Sequence, residues 1–185
     1  MHKELQNMTL EELWALFPIT IVPHQPQWKN WAADIIGKLS EVLSDFRPAI
    51  HHIGSTAIPS ICAKPVIDIL VEISPSADRL HLRAVMEAEG YICMSASDTR
   101  MSFNLGYTPT GYAEKVFHIH FHTAGDNDEV YFRDYLIAHP AVAKDYEALK
   151  LSLLPQYRHD RDGYTEAKSE FVKRVTAMAR QKLPD

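Results

Sequence analysis

Apolar residues recur every three or four positions from Trp28 through Trp31, Ile35, Ile36 and Leu39 to Val42 and Leu43. That spacing puts them on one face of a helix that must pack on a sheet or core. Upstream, Pro23 and Pro26 break a β-branched run, Ile19-Thr20-Ile21-Val22, that reads as a strand. Earlier still, Leu10, Leu13, Trp14 and Phe17 predict a short lead-in helix stopped by Pro18. Residues 49–53 form a short strand ending at Gly54, and a turn-like connection over 55–64 follows. The run Pro65-Val66-Ile67-Asp68-Ile69-Leu70-Val71 is apolar on both faces, which predicts a central strand covered on both sides. Asp68 is the one charge in its middle.

A helix over residues 77–89 comes next, closed by Gly90 at the position that favours glycine. Residues 91–114 give little beyond a strand near 102–105, whereas 115–123 alternate as a strand. The last third is helical in pattern. One helix over 130–138 must end at His139, because the residue before Pro140 is pushed out of the α region. Pro140 opens the next helix, with Val142, Tyr146, Leu149 and Leu153 as its stripe, and a final helix starts near Thr165 with Phe171, Val175 and Met178 on one side. The expected architecture is one domain of mixed α/β (α+β) type. It has a lead-in helix over 1–17, a mixed β-sheet with flanking helices over 18–125, and a helical C-terminal portion over 126–185 packed on that core.

Composition narrows the picture. At 185 residues, 46% hydrophobic and 23% charged, the chain is of ordinary globular make-up, which excludes disordered and fibrous classes. No apolar run approaches the ~18 residues of a membrane span, and the start, Met1-His2-Lys3-Glu4-Leu5, lacks a signal-peptide core. A cytoplasmic protein without a membrane partner is expected. Net charge is −5, and neither residues 1–125 nor residues 126–185 carry an excess of Lys and Arg. A long nucleic-acid partner is therefore not expected, although a small phosphorylated ligand needs only two or three well-placed cations. Cys62 and Cys93 have no zinc spacing and make no disulfide framework, so they read as buried apolar residues of a reducing compartment.

Candidate chemistry centres on Asp68. A strand ends in Gly54-Ser55-Thr56, and the next strand carries a carboxylate inside an apolar run. Gly54 lets the backbone approach a ligand closely, while Ser55 and Thr56 offer hydroxyls and N–H groups at an expected helix start. An ionised carboxylate there is costly unless paired or bound to a cation. A divalent metal carrying nucleotide phosphates meets that need, and Lys64 can neutralise phosphate charge. The structural alternative pairs Asp68 with Lys64 or Arg100 and leaves Gly-Ser as a plain turn.

A second cluster is His118-Ile119-His120-Phe121-His122, which puts three imidazoles on one strand face. Neighbours two apart lie about 6.5–7 Å along the strand, so two can share one metal ion, line a nucleotide pocket, or simply form a polar face. His122, nearest the loop, is the expected bystander. Arg133, Lys150 and Lys168 are weaker phosphate candidates.

The stretch His52-Ile-Gly-Ser-Thr-Ala-Ile-Pro with Ala63-Lys-Pro-Val-Ile-Asp-Ile resembles the signature of the GrpB-like proteins. His118-Ile-His120, Phe132-Arg-Asp-Tyr-Leu136, Ala138-His-Pro140, Tyr146 through Lys150 and Tyr164-Thr-Glu-Ala-Lys168 match as well, and Arg100 and Phe103 fall where the family has an arginine and aromatics. The resemblance implies a nucleotidyltransferase-like fold. It implies phosphate contacts at Gly54 and Ser55 and a magnesium ligand at Asp68, while the histidine spacing, not the resemblance, leaves another divalent metal at His118 and His120 as an option. The implied activity is metal-dependent transfer of a nucleotidyl group from an NTP to a small acceptor, with Lys64 or Arg100 on the developing charge and His118 or His120 as base. Leu70 stands where the superfamily has its second acid. That departure supports the alternative of a nucleotide- or metal-binding module without catalysis. A histidine-metal hydrolase is the third reading.

Overall fold

The computed structural model describes residues 3–181. Met1 and His2 of the expected lead-in segment, and residues 182–185 of the C-terminal portion, lie outside the described residues. Helix α1 spans Leu10–Leu16 and opens on a capping box, in which Thr9 and Glu12 satisfy each other's backbone N–H groups. Helix α2, Gln27–Val42, buries Trp28, Ala32, Ile35 and Leu39, as the spacing predicts. After strand β1, Ala49–Ile53, and strand β2, Ile67–Ile73, helix α3 covers Arg79–Ala88. Asp78 caps its first N–H groups, and Gly90 follows its end at φ 85°. Strands β3 (Ile92–Ala96), β4 (Arg100–Thr108) and β5 (Gly111–Thr123) come next, then α4 (Asp128–Ala138), α5 (Pro140–Tyr157), α6 (Arg161–Glu166) and α7 (Ser169–Gln181).

The five strands form one mixed sheet in the order β1-β2-β5-β4-β3. Strand β2 runs parallel to β5 and antiparallel to β1, and β4 runs antiparallel to both β3 and β5. The apolar run at 66–71 is thus interior and buried, while β5 takes the middle place. Alternation along the strands sorts the two faces. Ile67, Ile69 and Val71 of β2 join Ile119 and Phe121 of β5 and Phe103 of β4 in a core shared with Trp28, Leu39, Leu82 and Met86 of α2 and α3. The opposite face carries Asp68, His118 and His120, with Ser102 and Asn104 of β4 in register beside them.

A second apolar cluster explains how the C-terminal helices sit. Ile58 and Ile61, from the connection between β1 and β2, are fully buried among Phe132 and Leu136 of α4, Tyr146 of α5 and Val175 of α7. No described helix is long and apolar enough to cross a membrane.

Three local expectations are corrected. Residues 19–22 do not form a strand. Only Val22 pairs, in a single antiparallel bridge with Ala63, and the Ile19 N–H is taken instead by the Arg158 carbonyl, so no ladder builds along the run. The final helix is two helices, since residues 167–168 form a turn between α6 and α7. Cys62 and Cys93 are half-buried free thiols, not core residues.

Candidate functional site

Sheet register assembles the site. Asp68 lies opposite Ile53 of β1 on one side and opposite His118 of β5 on the other. Its Oδ1 is 3.3 Å from His118 Nδ1 and 3.4 Å from His120 Nε2. Gly54, just past β1, takes φ 71° and ψ −174°, a conformation essentially reserved for glycine. A Cβ there would stand 2.5 Å from Asp68 Oδ2, so the absent side chain is what lets the turn close over the carboxylate. The expected helix start at Ser55 is only a 3₁₀ turn, Ser55–Ala57.

Burial alone would raise the Asp68 carboxyl, but hydrogen bonds from His118 and His120 outweigh it and hold the group below its usual value. For His118 burial wins, and its pKa is lowered. The same ring stacks on Tyr107, and its Nε2 is 2.7 Å from the Tyr107 hydroxyl, which also accepts a 2.7 Å hydrogen bond from Arg161. A continuous line thus runs Asp68–His118–Tyr107–Arg161.

These residues line a cleft of about 1060 Å³. One end is basic: Lys64, Lys150, Arg161 and Lys168 converge on it, although the whole chain is acidic. The Lys64 and Lys168 ammonium groups both lie over the ring of buried Tyr164, 6.0 and 4.3 Å from its centroid. Burial, with Lys64 nearby, lowers Lys168 to about 7, and burial lowers Lys150 to about 8. The lining also has an apolar part, made by Leu10, Leu13 and Trp14 of α1 with Ile92 and Met94 of β3.

The C-terminal helices clamp the connection that carries Ser55. The Arg133 guanidinium donates to the His52 carbonyl at 2.7 Å. From α5, Lys150 donates to the Cys62 carbonyl, and the Glu147 carboxylate accepts the Cys62 N–H. Lys150 is only 3% exposed, and Lys150→Met takes the side-chain donor from the part-buried Cys62 carbonyl. It is expected to cost about 1–3 kcal/mol in urea unfolding and to speed amide exchange across residues 55–64.

Of the residues singled out in the sequence, Gly54, Ser55, Thr56, Lys64, Asp68, His118 and His120 all line this cleft. Ser55 lies within hydrogen-bond reach of the Tyr146 hydroxyl, whereas Thr56 is turned inward, its hydroxyl 2.9 Å from His52 Nε2. Arg100 does not join them. It sits at the far end of β4, opposite His122, in a bidentate pair with Asp126 at 2.7 and 2.8 Å. His122, on the same sheet face as His118 and His120, lies outside the cleft lining, its Nδ1 2.8 Å from the Asp126 carbonyl. Arg161 and Tyr107 were missed, because neither stands out in the sequence. Lys150 and Lys168 were visible only as isolated cations.

The profile described as GrpB protein matches residues 18–178. The chain belongs to the GrpB family. A UPF0157 protein of Pseudomonas aeruginosa is 34% identical over 164 residues, covering 87% of this chain and 67% of its own. The UPF0157 protein YqkA of Bacillus subtilis is 30% identical over 97% of this chain, which spans only 53% of that relative's length. The crystal structure of the conserved protein GrpB from Enterococcus faecalis superposes with a TM-score of 0.73 at 25% identity, over 88% of this chain and 98% of that one. The Cid1 poly(U) polymerase with MgGTP bound gives a TM-score of 0.50 at 12% identity, over 77% of this chain and 44% of that one. At that identity the likeness shows the fold alone, and the fold is nucleotidyltransferase-like.

Proposed function

We propose that the cleft binds a nucleoside triphosphate and transfers its nucleotidyl group to a small acceptor, with a divalent metal at Asp68. The observation that carries this reading is the gathering of Lys64, Arg161 and Lys168 in the one cleft that also holds Asp68 and the Gly54-Ser55 turn. Phosphates would lie against Gly54 and Ser55, where backbone can approach closely, and the leaving pyrophosphate would face the three cations. The apolar part of the lining receives the base or the acceptor. His118 and His120, both directed at Asp68, suit ligands better than free bases. The setting that fits such a protein is the cytoplasm, with the nucleotide and the acceptor as its partners.

The magnesium expected from the resemblance does not fit the residues present. Magnesium favours an octahedral shell of oxygens, and here one carboxylate stands with two imidazoles while Leu70 is fully buried. That missing acid favours the second reading, a nucleotide-binding module without turnover.

Calorimetric titration with ATP and GTP, with and without divalent metal, tests the proposal. Saturable binding is expected, weakened about 10–100-fold by Lys168→Ala through loss of a charge-assisted contact. No binding of either nucleotide overturns it, and binding without pyrophosphate release selects the module. The titration also has a pH signature. Lys168, lowered to about 7, is largely neutral at pH 8 in the free protein, and a bound polyanion draws its proton back. Binding is therefore expected to weaken from pH 6 to 9 and, at pH 8, to take up protons, seen as a binding enthalpy that changes with the buffer's ionisation enthalpy. Uptake should shrink in Lys168→Ala to the part that Lys150, lowered by burial to about 8, supplies.

A further inference from the structure

We propose that Asp68, His118 and His120 form a three-ligand site for a divalent first-row transition ion, zinc foremost, in preference to magnesium. This deepens the reading above and rests on it only for the claim that Asp68 holds a metal.

The first argument is donor chemistry. Imidazole nitrogens suit zinc and its neighbours, whereas magnesium is held by oxygen. Two histidines and one carboxylate with an open side is a recurrent zinc and iron(II) arrangement. The oxygen donors that would make the site hard are elsewhere. Glu72, on the same face of β2, accepts hydrogen bonds from the Gly125 N–H and the Asn127 amide.

The second argument is spacing. Bonds of about 2.0–2.1 Å around a tetrahedral ion place neighbouring ligand atoms about 3.3–3.4 Å apart. The two Asp68 Oδ1 contacts, at 3.3 and 3.4 Å, already have that length. Octahedral magnesium with bonds of about 2.0–2.1 Å needs about 2.9 Å. The three ligand atoms lie within 4.8 Å of one another, so closing the remaining edge is a matter of side-chain rotation.

The third argument is the outer shell. A metal-bound imidazole characteristically uses its other nitrogen to donate to an oxygen that fixes the ring. With Nδ1 on the ion, His118 Nε2–H donates to the Tyr107 oxygen, whose other lone pair accepts from Arg161. His120, with 34% of its side chain exposed, and Asp68, with 25%, open toward the cleft, which leaves a side for water or phosphate.

The test strips the purified protein with a chelator and titrates it with zinc, cobalt, manganese and magnesium. Metal content is read by plasma mass spectrometry, and the cobalt form by its visible absorption. One zinc or cobalt per chain is expected in the presence of millimolar magnesium. His120→Ala, at the more exposed ligand, should lose it by more than 100-fold with an unchanged circular dichroism spectrum. Tyr107→Phe should weaken it by about 10–100-fold. His122→Ala, on the same strand but facing Asp126, should bind as wild type. Magnesium competing on equal terms, or zinc retained at full stoichiometry in both His118→Asn and His120→Ala, overturns the proposal. ATP titration of the zinc form separates the two readings. Zinc without nucleotide leaves this site standing and removes transfer, whereas nucleotide bound only with magnesium removes this site.

Discussion

Asp68→Asn is expected to abolish metal binding and turnover while leaving the fold in place. The substitution keeps the volume but removes the anionic donor that faces His118 and His120, the only one among the described residues. Outer-shell changes at metal sites cost about 10–100-fold, and loss of a charged ligand should exceed that. Its effect on nucleotide binding is opposite in sign for two cases. Without metal, removing a negative charge beside Lys64, Arg161 and Lys168 should tighten phosphate binding slightly. With metal, the nucleotide loses its bridging ion and binds more weakly. Stability carries its own signature. The Asp68 carboxyl titrates below its usual value in the folded chain, so its ionised form contributes stability above a pH of about 4 that is lost as pH falls through the lower folded value. The variant should therefore melt a few degrees lower at neutral pH, and the gap should close on acidification. Metal binding or turnover kept in Asp68→Asn removes this residue from the site.

How much of this was legible in the sequence depended on distance along the chain. Gly54-Ser55 and Asp68 belong to consecutive strands, so a local pattern of strand, turn and strand marked them together. The apolar run around Asp68 also announced an interior strand. The meeting of Asp68 with His118 and His120 was not legible, since it depends on β2 lying parallel to β5 with two strands and a helix between them in the chain. Strand order comes from long-range packing, which periodicity does not encode. The same gap explains Arg100, which stands in strand β4 near the histidines in register but at the wrong end, where Asp126 claims it. The cleft's arginine is Arg161, delivered by a six-residue helix whose position depends on the turn that splits it from α7. Ile19 shows the converse error. Its β-branched run suggests a strand, yet the residue is buried as an isolated contact, with its N–H bonded to the Arg158 carbonyl at 2.8 Å.

Gly54→Ala is expected to cost about 2–4 kcal/mol and to spoil the metal site at the same time. Two penalties combine. The backbone at φ 71° and ψ −174° lies outside the regions open to alanine, so it must rearrange or bear the strain. The added methyl also meets Asp68 Oδ2 at 2.5 Å and Asp68 Cβ at 3.1 Å. The carboxylate cannot swing aside freely, because His118 and His120 both hold its other oxygen. A double-mutant cycle with Asp68→Ala separates the two. Removing the carboxylate relieves the 2.5 Å collision but leaves the strained backbone, so Asp68→Ala should cost less in the Gly54→Ala background than alone. Urea unfolding of the four proteins measures this coupling, and zinc titration of Gly54→Ala reads the site. Additive costs would show that the collision is absorbed elsewhere and that backbone strain is the whole reason for a glycine here. Wild-type stability with wild-type metal affinity in Gly54→Ala would mean that the turn does not close over Asp68, and with it the phosphate approach assigned to Gly54 and Ser55 would fall.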